Sequence, residues 1–155
     1  MRMSMARAHG YAEEVRAWFK QYDAIFAALA SGDQNNVEAL LNFYSIPVTM
    51  TTDDVYRVLS DGPSILQYLN SAIRLLRRSG YAQTVTHRFD VRILNRRSAI
   101  IDVDVSRLST GGSELARFGA VEVASRTDDG WRISAVLVTP FSRTAGGESS
   151  QKCRY

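Results

Sequence analysis

Apolar residues recur at spacings of three and four early in the chain: Val15, Trp18, Phe19, Tyr22, Ile25, Phe26 and Leu29. That spacing lays one continuous stripe along a helix of about four to five turns. The ten residues before Tyr11 show no such period, so residues 1–10 are expected to form a flexible leader. Ser31-Gly32-Asp33 ends the stripe. Asp33 is suited to cap a second, short helix, because its carboxylate can accept from free first-turn amides, while Val37, Leu40 and Leu41 supply the buried side.

The period then changes. Phe43 to Met50 reads as extended, and Pro47, which has no amide proton for a ladder, points to an edge strand or a bulge. Val55 to Leu59 reads as a second brief strand. Asp61-Gly62-Pro63 is a helix start, a capping side chain followed by a proline whose fixed dihedral suits the first turn. The helix carries Ile65, Leu66, Tyr68, Leu69, Ala72, Ile73, Leu75 and Leu76, a band broad enough to pack on two sides. Gly80 closes it behind Arg77 and Arg78, whose charge suits the negative end of the helix dipole.

Alternation of apolar and polar residues then predicts four longer strands, over about 83–94, 98–108, 114–126 and 131–139. They are joined by Asn95-Arg96-Arg97, by Ser109 to Ser113 and by Thr127 to Gly130, short turn-forming links that pair consecutive strands antiparallel. Arg143 to Tyr155 is glycine, serine and charge, so residues 141–155 are expected to be a flexible tail behind a single domain at 11–140.

Composition narrows the function classes. A chain of 155 residues with 45% hydrophobic content fits one domain with a substantial core. Nineteen basic against sixteen acidic residues is a small excess, and Arg77-Arg78 and Arg96-Arg97 do not form a basic stripe interleaved with aromatics, so nucleic acid is not an expected partner. No apolar run reaches the roughly eighteen residues a membrane helix needs. Glu13, Glu14, Arg16, Lys20 and Asp23 surround or interrupt the first apolar stripe, unlike a signal peptide, and the default location is cytoplasmic. Cys153 stands alone near the end, and His9 and His87 are far apart, so neither a disulfide framework nor a metal cluster is expected. No glycine-rich loop follows a strand, and no cofactor is expected.

Gly32-Asp33 before the short helix, Asp61-Gly62-Pro63 opening the long one and Asp129-Gly130-Trp131-Arg132-Ile133 beginning the last strand fall in an order that resembles the nuclear transport factor 2-like superfamily, including SnoaL-like proteins, over residues 11–140. The resemblance implies an α+β fold in which three helices from the N-terminal half pack in a strongly curved, mainly antiparallel sheet, a cone with an internal pocket. It also implies a homodimer through the outer face of the sheet. It does not imply one function, because such domains serve as isomerases, cyclases, dehydratases, epoxide hydrolases and adaptors.

Function then depends on which side chains point inward. With a three-residue loop at Asn95-Arg96-Arg97, Ile93 faces Ala99, Val91 faces Ile101, Phe89 faces Val103 and His87 faces Val105, on an inward, apolar face. Arg92, Asp90 and Arg88 then lie outward with Asp102 and Asp104. A two-residue turn at Arg96-Arg97 would instead turn Asp102 and Asp104 inward, where unpaired carboxylates cost several kcal/mol each. Pairing Arg126 with Trp131 directs Glu122 inward between Ala120 and Ala124 on the strand, with Trp131, Ile133, Ala135 and Leu137 as the facing inward series.

His87 and Glu122, with Asp102 if it turns inward, are therefore the candidate acid–base groups. Tyr44, Tyr56, Arg107, Phe89 and Trp131 are the candidate ligand contacts. The first reading is a dimeric domain holding a small hydrophobic molecule in a mostly apolar pocket. The second is a cofactor-free SnoaL-like enzyme, with Glu122 or Asp102 as base and His87 or a tyrosine as hydrogen-bond donor. The third is an adaptor with a vestigial pocket.

Overall fold

Ser4, whose side chain accepts from the Arg7 amide at 3.3 Å, starts the first helix, α1, Met5–Ser31. The computed structural model describes residues 2–139. Met5 to Gly10, expected to be part of a loose leader, is thus helical; methionine, alanine and arginine favour a helix on propensity even where no apolar stripe announces one. Gly32 closes α1 in the left-handed region, at φ 91°, with its amide donating to the Leu29 carbonyl. The expected tail at 141–155 lies outside the described residues.

The short helix is a 3-10 helix, Val37–Phe43, and its N-cap is Asn36 without a side-chain cap. Asp33 does not cap it and instead accepts from the Ser31 hydroxyl at 3.0 Å. Strands β1, Tyr44–Thr51, and β2, Tyr56–Leu59, follow. Helix α2, Gly62–Arg78, begins where Asp61 accepts from the Ser64 amide at 2.8 Å. Its buried residues, Ile65, Leu69, Ile73 and Leu76, form one stripe, and Leu75 is exposed, so α2 packs on one side rather than two.

Strands β3, Tyr81–Asn95, β4, Ser98–Ser109, β5, Glu114–Thr127, and β6, Gly130–Thr139, complete a six-stranded sheet in the order β2-β1-β6-β5-β4-β3. β1 runs parallel to β6, and every other adjacent pair is antiparallel. Pro47 is therefore not on an edge strand; it falls where the β1–β6 register shifts between Tyr44 and Thr49, so a bulge accommodates the missing donor. The sheet is curved and open, with β2 and β3 at its edges. Its inner face shares one core with the helices, in which Val15, Phe19 and Leu69 join Ile101, Val103 and Ile133.

The β3–β4 hairpin combines both expected registers. Arg96-Arg97 is a two-residue turn, with Asn95 opposite Ser98. A bulge at Leu94 then restores the pairs Ile93–Ala99, Val91–Ile101 and Phe89–Val103. Asp90, Asp102 and Asp104 consequently lie on the outer face, Asp102 within 2.7 Å of Arg88 and Asp104 within 3.6 Å of Arg117.

Candidate functional site

A second bulge decides the fate of His87. Thr86 pairs with Val105 and Arg88 with Asp104, which leaves His87 as the extra residue between them. Its ring turns to the outer face, where Nε2 lies 2.8 Å from the Ser106 hydroxyl, which donates in turn to Glu114 at 2.8 Å. The inward place expected for His87 is taken by Thr86. His87 is thus removed from the candidate acid–base set, and Asp102 with it, because its carboxylate forms the outer-face ion pair with Arg88.

Glu122 does point inward. It pairs with Ile101 of β4 and Val136 of β6, in register with the buried Ala120 and Ala124 on the same face. A bulge between Val123 and Ala124 brings Val136 rather than Ala135 opposite it, so the inward series of β6 past Ile133 is Val136 and Val138, and Leu137 faces outward. Only 7% of Glu122 is exposed, and its Oε2 has no hydrogen-bond partner among the described residues. Burial pushes this carboxyl up to about 8, and the Asp23 carboxylate adds to the rise.

Between α1 and strands β3, β4 and β5 lies a cavity of about 310 Å³, at the small end of the range of ligand pockets. Phe19, Phe26, Val103, Val105, Phe118 and Ala120 make it mainly apolar. Its polar groups are Glu122 from β5, Arg107 from β4, Tyr22 and Asp23 from α1, and Thr84 and Thr86 from β3. Asp23 keeps open surface, yet the surrounding protein removes enough hydration to push its carboxyl up to about 6, against the opposing pull of Arg107. The Arg107 guanidinium sits over two rings, 4.8 Å from the centre of Phe118 and 5.4 Å from that of Phe26.

The expected ligand contacts divide. Arg107 lines the cavity. Tyr44 is buried beside it, its hydroxyl hydrogen-bonded to that of Tyr22 at 2.5 Å, and burial drives both phenols well above their ordinary range, with Glu122 adding to each. Tyr56 is 76% exposed and pairs with Thr51 on the outer side, so it contributes nothing to the cavity. Phe89 stacks on Phe19 at 5.5 Å under the Arg16 guanidinium, and Trp131 is buried edge-on to Tyr11; both are packing residues outside the lining. Asp23 is the functional candidate missed in the sequence. It stands four residues after Phe19 and three before Phe26, a charged group at stripe spacing, and that intrusion is the signal that would have found it.

An α+β cone of this topology with a cavity between helix and sheet defines the class, and the comparisons agree. Residues 12–141 match the family described as NTF2-like protein (DUF6841), and the chain belongs to it. No curated protein sequence matches. Among solved structures, a cystatin-like-fold domain from Nostoc punctiforme is 18% identical, with a TM-score of 0.65 over 92% of this chain and 82% of that one. An NTF2-like protein from Novosphingobium aromaticivorans is 19% identical, with a TM-score of 0.63 over 86% of this chain and 83% of its own. A candidate dehydratase of the NTF2-like family from Streptomyces avermitilis is 17% identical, with a TM-score of 0.63 over 86% of this chain and 98% of its own. At these identities the likeness is one of fold.

The pKa of Glu122 is raised by folding, so the folded state holds this proton more tightly than the unfolded chain. The resulting contribution to stability is fully present below about pH 4.5 and is lost as pH rises through about 8. Wild type should therefore lose stability relative to Glu122→Gln between those limits, by about 1.4 kcal/mol per unit of pKa shift. Urea unfolding of both proteins at roughly pH 5 and roughly pH 9 measures it, and parallel pH profiles would refute it.

Proposed function

We propose that the cavity binds a small, mostly apolar molecule, oriented by a few polar groups of which Glu122 is the deepest. The observation that carries this reading is the Glu122 carboxyl, buried with Oε2 unpartnered among the described residues in the wall of a mainly apolar cavity. A buried polar atom without a partner costs roughly 1–3 kcal/mol, a cost that a bound oxygen or nitrogen atom would relieve. Ala120, small and on the same inner face two residues from Glu122, leaves room for the ligand.

Acid–base catalysis is the second reading, favoured by one observation. Two carboxyls line a single cavity, and burial raises both, Asp23 to about 6 and Glu122 to about 8, a spacing that suits one as base and the other as acid near neutral pH. No described helix is long and apolar enough to cross a membrane.

The outer face supports a homodimer. Ladder pairings align Val58, Thr49, Ala135, Val123 and Ile100 in one row, with Tyr56, Thr51, Leu137 and Val121 beside it. This apolar band crosses five strands, and several of its members, Tyr56, Val58 and Leu137, are exposed in the single chain.

The neutral fluorophore N-phenyl-1-naphthylamine should bind wild type, and Ala120→Phe, which fills the cavity, should weaken it by about tenfold or more. Equal binding to both would place the probe elsewhere and overturn the reading. Solvent deuterium appearing beside the carbonyl of a bound ketone would move the assignment to catalysis. Sedimentation equilibrium should give twice the chain mass, falling to one chain for Leu137→Lys; a wild-type monomer would exclude the dimer.

A further inference from the structure

Donors and acceptors in the cavity are unequal. Arg107 has five N–H donors and no acceptor, and it makes no hydrogen bond or ion pair among the described residues. Its guanidinium is held by the rings of Phe26 and Phe118 instead, which fixes its position while leaving the edges of the fork unused. Asp23 attracts it, but no ion pair closes within 4.0 Å between them. The Tyr22 hydroxyl is already engaged with Tyr44, and that of Thr84 with Tyr81 at 2.7 Å. At neutral pH Glu122 retains its proton, so it too is a donor.

We propose that the ligand is a small organic acid, with its carboxylate on the Arg107 guanidinium and its apolar body along Phe19, Val103, Val105 and Ala120 toward Glu122. The cavity wall matches these parts in order. Arg107 lies six positions along β4 from Ile101, the residue paired with Glu122, and Val103 and Val105 fill the inner face between them. The two polar groups therefore stand at opposite ends of an apolar stretch of roughly 20 Å of strand, shortened by the reach of their side chains. A planar guanidinium stacked on rings is arranged for bidentate recognition of a carboxylate, which a lysine would not reproduce. A cationic ligand fits less well: it would find Asp23 already opposed by Arg107, and Glu122 protonated.

This inference rests on the binding reading above, and a matched set of probes separates the two. Octanoate, octanamide and octylamine differ only in the head group. Isothermal titration at neutral pH should show octanoate binding about tenfold or more tighter than octanamide, with octylamine weakest. Arg107→Met should abolish the preference for the acid while octanamide binding persists. Equal affinity for acid and amide, tighter binding of the amine, or a preference that survives Arg107→Met would each overturn the assignment while leaving the binding reading intact. Failure of all three probes would overturn the assignment alone if N-phenyl-1-naphthylamine still binds, and both readings if it does not. The wild-type comparison needs no variant, so the test stands even if Arg107→Met does not fold.

Discussion

A carboxyl group placed in an apolar interior must find partners, lose its charge or stay unsatisfied. Glu122 meets that constraint on the inner face of β5, with no hydrogen bond to Oε2 among the described residues. The features of the cavity follow from this placement. Burial keeps the carboxyl protonated near neutral pH, protonation makes it a donor, and the Asp23 carboxylate adds to the effect. Ala120, small and on the same inner face, leaves space beside it instead of filling that space with packing.

Strand register is what delivers Glu122 to the inside, and register was only partly legible in the sequence. Turn residues and alternation located the four long strands to within a few residues. Arg126 opposite Trp131 followed from a tight turn expected over Asp128 to Gly130, and Glu122 pointed inward as expected. The bulges in the long strands were not legible, and three of them bear on the candidate residues. At Leu94 a bulge cancelled a shorter turn, so the outward aspartates came out right although the loop length did not. At His87 a bulge with no offsetting change turned the ring outward, and in β6 another exchanged Ala135 for Val136. A bulge inserts one residue without altering the alternation on either side strongly enough to be seen.

The helices show the opposite case. Stripe spacing placed α1 and α2, but a stripe reports only the residues that pack. Asp23 shares the face of Phe19 and Phe26, and it reads in sequence as one more charge on a surface helix. Only the curvature of β3, β4 and β5 around α1 turns that position toward Arg107 and Glu122. The aromatic residues Phe89 and Trp131, chosen as ligand contacts for their place on inner faces, pack against α1 instead, which sits deeper in the sheet than alternation alone reveals.

The chemistry of the cavity turns on Glu122 being a buried, protonated donor. Carbon-13 NMR titration of the glutamate side-chain carboxyls, with Glu122→Gln used to assign the resonance, measures this directly. A midpoint near 8 for Glu122 is the predicted result, and a midpoint near the ordinary 4.5 would contradict the account, because it would mean a solvated carboxylate and no donor inside the cone.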